Sequence, residues 1–185
     1  MNCTSCRFGV LEPTLLDGLF NARTCSKCDG HWILVEEFVE WKKNNPDHPF
    51  IQDTEWTEDQ SVDTTKALLC PSSGVIMRKI KISTKTDHKI DYSHMVGGIW
   101  LDKGEWELLK VHGLAGQLNT IVTKEWQNKL RHENTSHNFS EFYEQKFGKD
   151  NYDKVKEIRE WLSSQPQKAD LRAYIMADNP YSAVE

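Results

Sequence analysis

Four of the five cysteines stand in two pairs near the start of the chain. Two residues separate Cys3 from Cys6 and also Cys25 from Cys28, and the segment 7–24 lies between the pairs. In such a two-residue spacer the chain doubles back, so both sulfurs face one point, and two such turns offer four thiolates to one tetrahedral metal. The spacing therefore predicts one Zn²⁺ held by these four cysteines.

A zinc ion with four cysteine ligands has no open coordination position, so we expect it to be structural and not catalytic. A redox dithiol would instead need one such pair at the start of a helix inside a βαβ unit. The intervening segment 7–24 suffices for two antiparallel strands, but a ribbon this short lacks a core, so the metal would supply its folding energy. Gly30 is expected to take a positive φ as the second turn closes.

At these residues the chain resembles the bacterial zinc-ribbon family of transcription factor IIB-type zinc fingers. The likeness lies in "MNCTSCRFGVLEP" and "TCSKCDGHWI", followed by Glu37 and Phe38 at a helix start, and it covers the segment 1–41. Thr4 and Ser26 stand where the family often has proline. The resemblance implies a zinc ribbon with the same four ligands. The family name points to transcription, but its bacterial members largely lack an established activity.

A later segment, "SHMVGGIWLDKGEW" from Ser93 onward, repeats the pattern of "CSKCDGHWILVEEF". Cys70 and Ser73 align with the first cysteine pair, and Ser93 and Val96 align with the second when one extra residue is allowed between the halves. We interpret residues 67–112 as a second, degenerate copy of the ribbon. Its original metal site is lost, because serine is a poor zinc ligand and valine is none.

Two alternatives concern this second copy. Cys70 with His88, Asp91 or His94 would form a rebuilt metal site, although their spacing favours surface histidines and a buried Cys70. Otherwise apolar packing must replace the zinc. The candidate side chains are Val75, Ile80, Ile82, Ile90, Ile99 and Trp100. Trp32 and Trp100 are predicted to cover each ribbon where it meets its helix.

Hydrophobic periodicity predicts the remaining elements. Ile33 to Lys43 has helical spacing, "GVIMRKIKISTKTDHKIDYS" alternates as a hairpin, and a helix after Trp100 is expected to end near residues 131–138. Two or three short helices follow, whose aromatic residues we interpret as core. The predicted class is α+β: a zinc ribbon, a metal-free ribbon-like hairpin module and a helical C-terminal part. The predicted segments are 1–43 (ribbon and short helix), 44–66 (acidic linker), 67–112 (degenerate ribbon) and 113–185 (helical region).

Charge and hydropathy restrict the partners. The formal net charge is −5, which does not favour general nucleic-acid binding, and four thiolates on one Zn²⁺ add two negative charges. Only residues 67–112 lean basic, with 7 Lys/Arg against 5 Asp/Glu. The candidate phosphate contacts are Arg78, Lys79, Lys81, Lys85 and Lys89, although lysines that protect a sheet edge would look the same. No long apolar run or signal peptide is apparent, so we expect a cytoplasmic protein without membrane attachment.

Catalytic patterns are missing from the sequence: it has no phosphate-binding glycine loop, no HExxH and no Ser-His-Asp order. We therefore expect that the protein is not an enzyme. We expect instead a zinc-stabilised interaction module whose partner is another protein. The first alternative is nucleic-acid or transcription-complex binding through the hairpin 78–89. The second is an enzyme built around a second metal at Cys70, His88 and His94.

Overall fold

A computed structural model describes residues 1–51 and 55–181. They form one antiparallel sheet and six α-helices, which confirms the predicted α+β class. The strands are β1 (Leu11–Leu16), β2 (Phe20–Cys25), β3 (His31–Leu34), β4 (Arg78–Lys81), β5 (Lys89–Ser93) and β6 (Gly98–Leu101). The helices are α1 (Val35–Asn44), α2 (Glu105–Val111), α3 (Leu118–Ile121), α4 (Lys124–Phe147), α5 (Lys149–Ser164) and α6 (Lys168–Met176).

The six strands have the order β1-β2-β3-β6-β5-β4. Two three-stranded ribbons, β1–β3 and β4–β6, therefore meet along β3 and β6, and we call them the first and second ribbon. The junction is antiparallel and places Trp32 directly opposite Trp100. The sequence had indicated two ribbons but not that they share one sheet.

The two ribbons have the same internal register. The corresponding opposed pairs are Glu12–Thr24 with Arg78–Tyr92, and Arg23–Trp32 with Asp91–Trp100. Corresponding residues of β1 and β4 are one position closer in sequence than Cys3 and Cys70 are. Corresponding residues of β2 and β5, and of β3 and β6, are two positions further apart than those of β1 and β4. It follows that the first turn of the second ribbon is one residue shorter than expected and its hairpin is longer by two residues, not by one.

Each tryptophan at the junction packs on a glycine of the other ribbon. A Cβ atom on Gly30 would lie 2.3 Å from Trp100 Cζ2, and one on Gly98 would lie 2.2 Å from Trp32 Cη2. Neither glycine has a positive φ, so the expectation for Gly30 was wrong; Asp29 takes the left-handed conformation, with φ 55°. Both tryptophans are buried, as predicted. Each one packs against the other ribbon, whereas it was expected to cover the place where its own ribbon meets the following helix.

Two clusters of buried residues hold this sheet and its helices. The larger one joins the sheet to α1, α2 and α3 and contains Phe38, Leu108 and Ile121. The smaller one lies at the cysteine end and draws on both ribbons; its members are Cys3, Leu11, Cys25, Trp32, Leu68, Cys70, Met77 and Trp100. Of the side chains predicted to replace zinc, all are buried except Val75, which is exposed because it lies in the turn before β4.

The acidic segment 44–66 is more closely packed than a linker. Among its described residues after the end of α1 at Asn44, only the single turn Glu58–Gln60 is helical, but Phe50 and Trp56 pack against the larger core. Two backbone amides also reach the end of β6: Val62 N donates to Lys103 O at 2.9 Å, and Thr64 N donates to Asp102 Oδ2 at 2.9 Å. Residues 52–54 of the predicted linker lie outside the described residues.

The described residues form two compact units, which divide between Glu133 and Asn134 inside α4. The predicted helix end near residues 131–138 was wrong, because α4 continues through them to Phe147 and stops before Gly148, whose φ is 77°. Residues 113–133 belong to the same unit as the sheet. The four-segment division stays a prediction, and residues 182–185 of its last segment lie outside the described residues.

The second unit has no core of its own. None of its described residues is buried, so the interpretation of its aromatic residues as core was wrong. Its exposed large apolar side chains are Phe139, Phe142, Tyr143, Phe147, Val155, Ile158, Trp161, Tyr174, Ile175, Met176 and Tyr181. No helix of the described part of the chain is long and apolar enough to span a membrane.

Candidate metal centre

The four paired cysteines converge at one end of the first ribbon. Cys3 Sγ lies 3.6 Å from Cys28 Sγ, Cys6 Sγ lies 3.7 Å from Cys25 Sγ, and all four sulfurs lie within 4.8 Å of one another. For a tetrahedral zinc with Zn–S bonds of about 2.3 Å, the sulfurs are about 3.8 Å apart. The distances between these sulfurs therefore suit one zinc ion.

Two tight turns, which we call knuckles, present these sulfurs. The first runs from Cys3 to Gly9 and is closed by a hydrogen bond from Cys3 N to Gly9 O at 2.9 Å. The second runs from Cys25, the last residue of β2, to Gly30, and Cys25 N donates to Gly30 O at 2.8 Å. Pairing of β1 with β2 brings the two knuckles to the same end of the ribbon.

Backbone amides point at the sulfurs, as expected where thiolates are stabilised. Gly9 N donates to Cys6 Sγ and Lys27 N donates to Cys25 Sγ, both at 3.4 Å. Burial opposes ionisation of Cys6, but the amides of Phe8 and Gly9 and the neighbouring thiols lower its pKa to about 7. Burial raises the pKa of Cys3, and burial together with the adjacent sulfurs raises that of Cys28.

The pKa of Cys6 is lowered whereas those of Cys3 and Cys28 are raised, and this difference bears on whether a metal ion fits between the sulfurs. Four sulfurs this close cannot all carry negative charge unless a cation lies among them, because each thiolate raises the pKa of the next. Cys3 and Cys25 are buried, Cys6 and Cys28 are partly buried, and no other ligand is needed to complete a tetrahedron. The residues thus fit one structural Zn²⁺, which would hold the two knuckles together.

Some residues that shape the knuckles were missed by sequence reasoning. Arg7 and Asp29 adopt left-handed conformations, with φ 63° and 55°. A Cβ atom on Gly9 would lie 2.2 Å from Cys25 Sγ, so only glycine fits beside that sulfur. The signal was the glycine three residues after Cys6, which lets the backbone pass close to the opposite knuckle.

The second ribbon keeps the knuckle geometry around a single sulfur. Ser73 N donates to Cys70 Sγ at 3.4 Å, and Cys70 N donates to Val75 O at 2.7 Å. Gly74 and Gly97, at the positions of Arg7 and Asp29, have φ 70° and 61°. The backbone conformation that presents zinc ligands is therefore present here without the ligands.

Hydroxyl groups lie near Cys70 at two of the positions that correspond to cysteines of the first ribbon. Burial raises the pKa of the Cys70 thiol, but the side chains of Ser73 and Ser93 and nearby amides outweigh burial and lower it. Cys70 and Ser93 are buried, whereas Val96, at the fourth position, is exposed. One sulfur, two hydroxyls and an alkyl group do not bind zinc.

The rebuilt metal site predicted as an alternative is not formed. Within residues 1–51 and 55–181, the cluster at Cys3, Cys6, Cys25 and Cys28 is the one group of metal-ligating side chains close enough to share an ion. Asp91 is instead buried and paired with Lys79, their Nζ and Oδ2 atoms being 2.9 Å apart. His94 is exposed, and His88 does not join Cys70 and Asp91 in a ligand cluster.

A buried carboxyl pair next to Trp100 was not predicted. Trp100 Nε1 donates to Asp102 Oδ1 at 2.8 Å, and Asp102 N donates to Glu105 Oε2 at 2.8 Å. Burial raises the pKa of Glu105 well above its ordinary value, the Asp102 amide opposes this, and the carboxylates of Asp102, Asp63 and Asp91 add to it. Glu105 therefore holds its proton more tightly in the folded state than in the unfolded state.

Ion pairs occupy part of the basic hairpin. Lys79 pairs with Asp91, and Lys81 pairs with Asp87 at 3.0 Å. Arg78, Lys85 and Lys89 are exposed. Two carbonyl groups at the end of the β4 edge are also covered, since Gln127 Nε2 donates to Lys81 O and Trp126 Nε1 to Ile82 O. Nucleic-acid contact by these five residues stays a prediction.

The comparison with protein families agrees with the four-sulfur geometry. Residues 2–44 match the transcription factor zinc-finger family. The zinc-finger match contains both knuckles, all three strands of the first ribbon and α1, and it ends before the second ribbon. Comparison with curated proteins gives no match, and neither does comparison with solved structures. A second, degenerate zinc-finger copy at residues 67–112 thus stays a prediction.

Proposed function

We propose that the chain is a zinc-stabilised module that binds another protein, and that residues 67–112 are a degenerate, metal-free copy of its zinc finger. The second part of this proposal is supported by the common register of the two ribbons and by the knuckle geometry retained around Cys70. A closed four-sulfur site stabilises a fold but offers no position to a substrate, so the proposal gives the zinc no catalytic role.

The proposal of protein binding rests on three exposed aromatic side chains of α4, which we call the aromatic ladder. Phe139, Tyr143 and Phe147 are four residues apart and lie on one face of the helix. The ring centroids are 6.4 Å apart for the first two and 5.4 Å apart for the last two, with nearly parallel planes. All three side chains are exposed in a unit whose described residues include none that is buried.

Helices without a buried face are only marginally stable in water, because most helical stability in proteins comes from packing an apolar face. Exposed apolar surfaces larger than those of ordinary monomers mark interaction sites. A protein partner would cover the ladder and supply the burial that the second unit lacks. This partner would bind while the zinc keeps the first unit folded.

The test is affinity purification of the full chain from its native cell, comparing wild type, Tyr143→Ser and Gln145→Ser. Gln145 lies on the other side of the same helix and is also exposed, so it controls for a polar substitution in α4. We expect Tyr143→Ser to lose co-purifying proteins that Gln145→Ser retains. The same proteins recovered with both variants would contradict binding through the ladder.

A second candidate is nucleic-acid or transcription-complex binding through the hairpin 78–89. It is supported by the exposed cations Arg78, Lys85 and Lys89 and by the description of the matching family. Phosphate contacts predict an affinity that falls steeply with salt, with a slope of about −0.9 per contact on a logarithmic plot for duplex DNA. No binding to DNA or RNA at low salt would exclude this candidate.

A further inference from the structure

A groove lies between the first knuckle of the first ribbon and the corresponding knuckle of the second, and the Thr4 hydroxyl donates across it to the Leu69 carbonyl. Its volume is about 460 Å³, and its lining includes Asn2, Thr4 and Arg7 on one side and Leu69, Pro71 and Gly74 on the other. The buried residues Cys3 and Cys70 also line it, one from each ribbon. We call this the knuckle groove.

Exposed apolar side chains flank the knuckle groove. Asn2 forms an isolated bridge with Val10, and Leu69 forms the corresponding bridge with Ile76. Val10, Leu69 and Ile76 are 47%, 51% and 61% exposed. Six of the eleven exposed large apolar residues of the first unit lie in or beside the first knuckle of one ribbon or the other; they are Met1, Phe8, Val10, Leu69, Val75 and Ile76. The concentration at this end is typical of a binding surface.

Three exposed cations lie at this end of an acidic protein and outnumber the two negative charges that four thiolates on one Zn²⁺ add. Arg7 is the one charged residue lining the knuckle groove, and Lys27 and Lys66 lie in or beside the knuckles, all three exposed. No ion pair among residues 1–51 and 55–181 involves them. The carboxylate of Asp29, in the second knuckle, is paired with Lys103 at 3.0 Å.

We infer that the knuckle groove binds an acidic peptide segment of a partner protein, with an apolar side chain against Leu69 and Pro71 and a neighbouring carboxylate at Arg7. Charge complementarity selects this occupant. A second copy of the chain that bound through its own knuckle groove would bring Arg7 and Lys27 against the same charges. A nucleic acid would meet a single cation in an apolar groove that has no aromatic lining. This surface is distinct from the aromatic ladder and does not depend on it.

The test uses fluorescence anisotropy with the zinc-loaded full chain. The probe is a labelled twelve-residue peptide in which Glu and Asp alternate with Leu, Val and Phe, and the matched controls carry Gln and Asn, or Lys, at the charged positions. We expect the acidic peptide to bind about tenfold more tightly than the amide peptide, and this ratio to shrink with salt. The inference would be overturned if the acidic and amide peptides bound equally well or did not bind at all. It would also be overturned if a single-stranded oligonucleotide displaced the probe but excess unlabelled acidic peptide did not.

Variants locate the site. Arg7→Gly removes the charge but suits the left-handed backbone at φ 63°, so the fold is retained, and we expect about threefold weaker binding. Leu69→Ser should weaken binding about tenfold through lost apolar contact. Arg78→Gln, which removes an exposed cation from the hairpin, and Tyr143→Ser in the ladder should change nothing. If Arg78→Gln weakens binding as much as Arg7→Gly, the effect is one of net charge and the groove is not the site.

Separate assays report on the knuckle groove and on the aromatic ladder. The peptide assay measures binding to the knuckle groove only. The co-purification assay measures which proteins are lost when Tyr143→Ser disrupts the aromatic ladder. Zinc content and the melting temperature, measured on every variant, show whether reduced peptide binding comes from lost contacts. A weakened Arg7→Gly variant with full zinc content and an unchanged melting temperature supports the groove.

Discussion

The two ribbons have the same shape but are stabilised differently. The first places four sulfurs around one point, whereas the second places one sulfur among two hydroxyls and a valine. Both keep left-handed turns after the cysteine positions, a glycine under the other ribbon's tryptophan, and the same strand register. The backbone and the packing therefore encode the shape of a ribbon, while the metal supplies stability to the first ribbon.

Different side chains stabilise the second ribbon. The opposed pair Thr14–Ala22 of the first ribbon corresponds to Ile80–Ile90 in the second, and both isoleucines are buried. Larger apolar side chains at these positions bury more surface, which is worth about 25 cal/mol per Å². At the next opposed pair, Pro13–Arg23 is replaced by the ion pair Lys79–Asp91.

The largest effect is expected from Cys25→Ser. It removes a ligand from a closed site, and structural zinc contributes about 10 kcal/mol or more in small zinc-binding domains. We expect loss of bound zinc and of hydrogen-exchange protection in β1 and β2. Cys70→Ser is the matched control in the second ribbon and should leave the zinc content unchanged. Equal loss of zinc in both variants would mean that Cys70 also contributes to zinc binding, which would contradict a zinc site confined to the first ribbon.

A smaller effect is expected from Gly98→Ala at the junction. The new Cβ atom would overlap Trp32, a rigid and buried ring, so the free energy of unfolding should fall by about 3 kcal/mol. Gly18→Ala is the control, because nothing lies within 4 Å of its Cβ position and only backbone strain at φ 71° remains, worth about 1 kcal/mol. Denaturant unfolding that gives similar losses for both would argue against the packing of Trp32 on Gly98.

The smallest effect concerns pH. Folding raises the pKa of Glu105, so the folded state keeps a proton that the unfolded state loses above about pH 4.3, and stability falls as pH rises through that range. Glu105→Gln should remove this slope and stabilise the protein near pH 7 by on the order of 1 kcal/mol.

Glu37→Gln is the matched control, because Glu37 has the same position in the first ribbon and is only partly buried. Unfolding measured from pH 5 to 8 should separate Glu105→Gln from wild type and leave Glu37→Gln parallel to wild type. Parallel curves for all three proteins would contradict a buried, protonated Glu105.

Much of the first ribbon could be predicted, because ligand spacing and residue type determine a metal site locally. The sequence indicated the four cysteines, the strands between them and α1. It did not reveal that β3 pairs with β6, since that contact joins segments far apart in the chain and leaves no local pattern. The role of Gly30 was missed for the same reason: its neighbour is Trp100, in the other ribbon.

Other errors arose where periodicity was ambiguous. The aromatic residues of α4 have the spacing of a buried face, and spacing alone cannot tell whether the protein itself or a partner covers it. The polar run 131–138 was taken for the end of a helix, but it contains no glycine or proline and α4 continues through it. Cys70 was correctly predicted to be buried, but its hydroxyl neighbours depended on the shared knuckle geometry.

Zinc stoichiometry of the wild type and of the triple variant Ser73→Cys, Ser93→Cys, Val96→Cys shows whether the second ribbon differs from the first only in its sulfurs. If the second ribbon has the knuckle geometry and lacks only sulfur, adding three thiols to Cys70 creates a tetrahedral site. Metal analysis should give one zinc per wild-type chain and two per variant chain. A wild type with two zinc ions, or a folded variant that still binds only one, would contradict the account.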